Sequence, residues 1–445
     1  MPTRRRVIIA LGAGAAILAV ATSSPASPRP VAQFRTFAHP SATRDAGEPT
    51  IGVNRETGAV MYQAYLDTFA VTGFNNRTGE ATWKTSNAIL TSQVSLDPIL
   101  TTDYETGRTF VSQLTLACSL MAYTDDDGAS WQEVPDGCGA GSFFDHQTVG
   151  TGAFVAGGPL RPVTSYPRAV YYCAQSTGSA NCSTSLDGGL SFLPAVSAWT
   201  LATCTAIHGH LASAPDGTVY LPPRRCGQQA GVAVSEDNGL SWNVRKVPDS
   251  LLGDAKDPAI AAGRDGTAYY SWGGRDGVDT VPHVAVTRDR GRTWSTPVPL
   301  GTEHGVRNTA FISAVAGDGD RAAIAFVGTT TGGPNQLATF DGVWRLYVAL
   351  TYDRGATWHT VVATPDSPVQ VGKICTGGIG CSDGTRNLLD FIGMTIDEQG
   401  RVLVAFADGC LEAMCDSRAR FDAPAIARQS SGRGLYRAYD GAFRG

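Results

Sequence analysis

The sequence predicts an all-β fold, a seven-bladed β-propeller of four-stranded antiparallel blades, on three observations. An eight-residue phrase, S/T-x-D-x-G-x-S/T-W/F, returns five times without a gap: TDDDGASW (124–131), SLDGGLSF (185–192), SEDNGLSW (235–242), TRDRGRTW (287–294) and TYDRGATW (351–358). The closing aromatics stand 61, 50, 52 and 64 residues apart, a period suited to four strands with variable loops. A second phrase, an acid leading an alternating apolar strand, a glycine turn and another strand, recurs ahead of the first.

The second phrase can be followed in order. EPTIGVNRETGAV begins with Glu48, DPILTTDYETGRTF with Asp97, and the longer variant FDHQTVGTGAFVA carries Asp145. HGHLASAPDGTVYL has His208 in the acid's place, and DPAIAAGRDGTAYY begins with Asp257. NTAFISAVAGDGDRAAIAF has lost the acid, and DFIGMTIDEQGRVLV begins with Asp390. That makes seven units, of which the first and last lack a clear closing phrase. The 52 glycines, many beside Asp or Asn, suit many short strands, and no long helical periodicity follows residue 26.

With 445 residues, 42% hydrophobic and 17% charged, the chain can bury a large core. Its net charge of −5 gives no reason to expect nucleic acid as a partner. TRRRVIIALGAGAAILAVA has three arginines before a roughly fourteen-residue apolar run, the layout of an export signal. Ala19-Val20-Ala21 and Ser24-Pro25-Ala26 are the candidate cleavage sites, and the arginines also fit a twin-arginine signal. The expected organisation is a signal over 1–26, a lead-in over 27–47 and one propeller domain over 48–445. The mature protein is expected to be secreted or extracytoplasmic, monomeric and without a membrane span.

Ten cysteines fit an oxidising destination. Neighbours pair most simply: Cys118 with Cys138, Cys173 with Cys182, Cys204 with Cys226, Cys375 with Cys381, and Cys410 with Cys415. None has the CxxC spacing of a zinc or redox site.

The chemistry of the eight-residue phrase is structural. Asp126, Asp187, Asp237, Asp289 and Asp353 can each close a tight turn by accepting backbone N–H bonds, and the glycine tolerates positive φ. The final Trp or Phe can wedge between neighbouring blades. The phrase resembles the Asp box, or BNR repeat, of the sialidase-like β-propellers. The resemblance spans nearly all of the mature chain and implies a propeller; the sialidases proper would make it six-bladed, whereas the unit count makes it seven. Asp boxes occur in hydrolases and non-enzymes alike, so the resemblance leaves activity open.

Strand parity separates the two faces. In a four-stranded meander the turn before the last strand lies opposite the end where the first strand begins. The boxes therefore lie on one face, and Glu48, Asp97, Asp145, His208, Asp257 and Asp390 gather around the channel mouth on the other. His146, His210, Arg44, Arg307 and Arg386 are expected beside them. By the same parity all ten cysteines lie in loops of the acid face, which marks it as the working face. The ordinary reading of each mouth residue is that it satisfies backbone groups at a strand start.

A sialidase would carry an arginine near the start of the first inner strand, in an F/Y-R-I-P motif. Here Gly47-Glu48-Pro49 falls at that position, and Phe34-Arg35-Thr36-Phe37 lacks the Ile-Pro. A glutamate opposes an anionic sugar, so sialic acid hydrolysis is disfavoured. Two readings remain. One is a glycoside hydrolase with Asp97, Asp145 and Asp257 as candidate catalytic carboxylates, and Glu48, Arg44, His146, His208, His210, Arg307, Arg386 and Asp390 binding substrate. The other is a non-catalytic module binding a glycan or other extracellular ligand, protein included. No cofactor is expected; the histidines beside Asp145 leave a divalent cation as an alternative occupant. Trp199, Trp272 and Trp344 lie outside the boxes and are expected to pack between strands, with Trp272 alone near enough to the acid face to reach a sugar.

Overall fold

A computed structural model describes residues 32–41, 45–88, 95–115, 119–134, 145–176, 179–253, 255–410, 415 and 422–441. The described residues are nearly all β, with a few short 3-10 turns and no α-helix. No helix among them is long and apolar enough to cross a membrane. The expected export signal (1–26) lies outside them, as do Arg44, Cys118 and Cys138.

The strands form a series of antiparallel meanders. Their first strands are Thr50–Val53, Pro98–Thr102, Asp145–Gly152, Ala212–Ser213, Ala259–Ala262, Asn308–Ala316 and Gly393–Ile396. Each first strand neighbours the next, and Gly393–Ile396 neighbours Thr50–Val53. They enclose a cavity of about 280 Å³ that residues from every one of them line. The fifth and sixth meanders share one nine-stranded sheet through a single parallel pair, Thr280 with Asn308. The last sheet takes its outermost strand, Gln33–Ala38, from the segment expected as a lead-in; it pairs antiparallel with Ala423–Ser431.

Burial follows strand position. Interior strands such as Ala322–Thr329 and Val60–Ala64 are buried at every residue, because sheet packs on both of their faces. The outermost strand Glu80–Thr85 is mostly exposed. Trp344, Trp199 and Trp272 are all buried, so Trp272 packs against Tyr270 and His283 and presents no surface to a sugar.

The five repeat turns share one hydrogen-bond pattern. In each, the Asp Oδ1 accepts from the first-position hydroxyl at 2.7–2.9 Å. It also accepts the N–H of the seventh residue at 2.8–2.9 Å. The Asp126 carboxyl is drawn down to about 2, chiefly by the Ser130 hydroxyl. The closing aromatics wedge as expected: Trp131 packs against Met61 and Ala88 of the preceding sheet and bonds Ser86 Oγ at 3.0 Å.

The residue before each glycine, Asp127, Gly188, Asn238, Arg290 or Arg354, has a left-handed φ between 54° and 82°. Each reaches back to the preceding meander. Asp127 accepts from Asn54 at 2.8 Å, and the Gly188 carbonyl accepts from Arg108 at 2.9 Å. Asn238 accepts from Val155 N–H at 2.8 Å and donates to the Ala153 carbonyl. Arg290 and Arg354 bond Asp216 and Asp265. The phrase is thus a clasp between neighbouring sheets as well as a turn. Beyond the last strand, where no phrase occurs, Arg437 N–H donates to Asp318 and Asp440 pairs with buried Arg321, holding the same kind of junction.

Disulfides join Cys173–Cys182, Cys204–Cys226, Cys375–Cys381 and Cys410–Cys415. Cys173 and Cys182 sit opposite one another within paired strands, where the sequence placed them in a loop.

Candidate functional site

Four of the six expected strand-start residues converge at one end of the channel. Glu48, Asp97, Asp257 and Asp390 are at most 6% exposed, and Lys256, His146 and Arg386 join them. His146 is the hub. Its Nδ1 is 3.5 Å from Asp97 Oδ1 and its Nε2 is 3.2 Å from Asp257 Oδ2. Lys256 Nζ lies 3.0 Å from Asp390 Oδ2; Arg386 Nη2 lies 2.8 Å from the same oxygen and 3.8 Å from Glu48 Oε1. His210 stacks on the His146 ring, and the edge of Phe391 closes on both.

Asp145 is not among them. It is exposed, and a β-bulge between Asp145 and Gln147, with His146 at φ 44°, turns the imidazole into the channel instead. The repeat unit and strand parity had put Asp145 at the mouth; a bulge advances the facing residue by one, and the repeated phrase carries no sign of it. His208 is buried behind His146 on the separate strand Thr205–His208, its Nδ1 2.9 Å from the Gly209 carbonyl. Arg307 is exposed and paired with Asp279 at 2.7 Å.

Burial, then Asp97 and Asp390, push the Glu48 carboxyl well above its ordinary range. Burial pulls His146 down, but Asp257 and Asp97 outweigh it and hold the imidazole at about 9. Burial also raises Asp390, and Lys256 and Arg386 more than reverse this. Burial raises Asp257 too, against His146 and Lys256, which lower it. His210 is held neutral, pushed down to about 3 by burial and by the charge on His146. The cluster of buried acids and cations plugs this end of the channel. Among the described residues no three His, Cys, Asp or Glu side chains form a metal-holding group.

Arg386 also lines a cleft of about 580 Å³ beside the plug, with Asp45, Tyr65, Ser95, Asn387 and Asp422. These residues come from loops between meanders and from loops between second and third strands, so both loop classes do lie on one face. Asp422 is hydrogen-bonded to Asp45, and its Oδ2 accepts the Ala46 N–H at 3.3 Å. Burial first, then Asp45, raise the Asp422 carboxyl to about 8. Neither acid was singled out from the sequence. Both lie outside the repeated phrases, and their only sequence signal was an acid shortly before a strand on the acid face.

Neither a protein-family profile nor a curated protein sequence matches the chain. Solved structures do align with it. A protein of unknown function from Dyadobacter fermentans is 12% identical over 89% of this chain and 98% of its own, with a TM-score of 0.44. The intramolecular trans-sialidase of Ruminococcus gnavus, solved with oseltamivir carboxylate, is 12% identical over 88% and 97%, with a TM-score of 0.43. The Aleuria aurantia lectin, bound to α-methyl-L-fucoside, is 12% identical over 74% and 95%, with a TM-score of 0.40. At such identity and overlap none of their functions transfers to this chain.

Proposed function

We propose that the chain is an extracytoplasmic seven-bladed β-propeller of four-stranded blades that recognises a neutral glycan in the cleft over Arg386 on the disulfide-bearing face. The observation that carries this is the Asp45–Asp422 pair in that cleft: two hydrogen-bonded carboxyl groups beside a guanidinium and Tyr65. A carboxylic acid kept neutral donates a hydrogen bond, its partner accepts one, and Arg386 supplies further donors, which suits the mixed donor–acceptor pattern of sugar hydroxyls.

Binding without turnover is the better-supported form. Two-carboxylate hydrolysis needs roughly 5–9.5 Å between the acids, with substrate or water in the gap. Between Asp97 and Asp257 the gap holds His146, and Asp45 and Asp422 touch each other directly. The raised Asp422 carboxyl favours a second reading, with Asp422 as general acid in a hydrolase. A neutral-glycan array with parallel reducing-sugar release separates them. Binding is expected, without sugar release, lost at least tenfold in Asp422→Ala and weakened above pH 8 as the pair becomes two repelling carboxylates. Release abolished by Asp422→Asn would establish the hydrolase; no binding to any glycan would sink both.

A further inference from the structure

The channel is closed at the acid end by the buried cluster around His146, but at its other end it runs into a larger cavity of about 670 Å³. The two share Arg55, Thr101, Leu211, Ser213, Ala262 and Ala316 as lining. This wide end lies on the face of the repeat turns, where turns between first and second strands converge. Four side chains shape it. The Arg55 guanidinium lies 3.2 Å from the centre of the Tyr104 ring and 5.1 Å from that of Tyr436. Arg264 covers Tyr436 at 4.0 Å and donates to the Tyr104 hydroxyl. Arg168, also lining the cavity, is tied to Asp103 at 3.3 Å, and Arg264 stands 3.6 Å from Asp318.

Arg55 differs from those two. Its guanidinium bonds Tyr436, its Nη1 is buried with no protein acceptor, and no ion pair to a carboxylate is seen for it among the described residues. Burial draws this guanidinium down to about 10, more than Tyr436 and Asp397 restore. A half-buried guanidinium in the wall of the cavity, with Arg264 and Arg168 lining it as well, gathers the planar donor groups that suit an oxyanion.

We infer that this vestibule is a second binding site, independent of the acid-face cleft, which takes the oxyanion of a small molecule, carboxylate or phosphate, between Arg55 and Arg264. Ligand enters it from the face of the repeat turns. The rings of Tyr104 and Tyr436 are covered by the two arginines, and their hydroxyls accept from Arg264 and Arg55, so they fix the guanidinium planes.

Calorimetric titration of the full-length mature protein tests this, with glucuronate, inorganic phosphate and glucose as probes. Glucuronate or phosphate is expected to bind and glucose not, and whichever binds identifies the oxyanion. Arg55→Gln and Arg264→Gln should each weaken that binding at least tenfold, and Arg55→Lys, which keeps charge and loses the fork, should weaken it also. Should Arg55→Gln fold poorly, Arg264→Gln carries the test, because its side chain is about half exposed. Asp422→Ala should leave anion binding unchanged, so failure here and failure of the glycan reading are distinguishable. Binding of neither anion, or binding that survives both Gln substitutions, would overturn the inference.

Discussion

His146 shows how one side chain sets a pH window. Its folded value of about 9 lies above the ordinary histidine value near 6.5. A raised base stabilises the fold fully below pH 6.5, and that stability is lost as pH rises through 9. Glu48, also raised, adds in the same direction, while His208 and His210, both lowered, cost stability as pH falls below 6.5. A decline in urea midpoint from pH 6.5 to 9 is therefore expected, to which Asp422, raised to about 8, also contributes and which His146→Gln reduces. An equal decline in that variant would refute the assignment. Much of this cluster was legible, because Glu48, Asp97, Asp257 and Asp390 each open a recognisable repeat unit. Asp145 misled because the bulge swaps it for its neighbour. Asp422, Asp45 and Arg55 stayed hidden because they stand in a loop, before a strand and in a turn that no repeated phrase marks as functional.

At the scale of the element, the repeat turn was the most readable feature of the chain, and its Asp, Gly and aromatic do what their chemistry suggests. Its second role was invisible, since the clasp residue is Asp, Gly, Asn or Arg with no shared side-chain chemistry. What those residues share is a left-handed backbone and a partner in the preceding sheet, which only coordinates reveal. Their contributions should differ with burial. Asn238 is fully buried and holds Val155, Ala153 and the Tyr171 hydroxyl, so Asn238→Ala should cost about 1–3 kcal/mol for each group left unsatisfied. Arg290 and Asp216 are each 43% exposed, so Arg290→Ala should cost under about 1 kcal/mol. Urea denaturation of both variants checks the order; equal losses would mean the clasp acts through backbone alone.

For the whole molecule, the decisive pairing is the one between the two ends of the chain. A seven-unit count is readable from phrases, but the strand that completes the last sheet is not, because QFRTFA carries neither phrase and lies far from its neighbours in sequence. Deleting residues 27–39 should expose the edge of Ala423–Ser431 and remove Phe37, which is fully buried and worth about 1.5–3 kcal/mol by itself. A lower melting temperature and higher-order species on size exclusion are expected, and an unchanged melt would show that the sheet does not need the strand. The same pairing has a mechanical consequence. Gln33 lies opposite Ser431, so tension applied to the two termini pulls on the same end of an antiparallel pair. Such a load peels the ladder one hydrogen bond at a time, whereas shear would strain all of them together. A molecule stretched by its ends should open at this seam first, at low force, once the Asp440–Arg321 tether has let go.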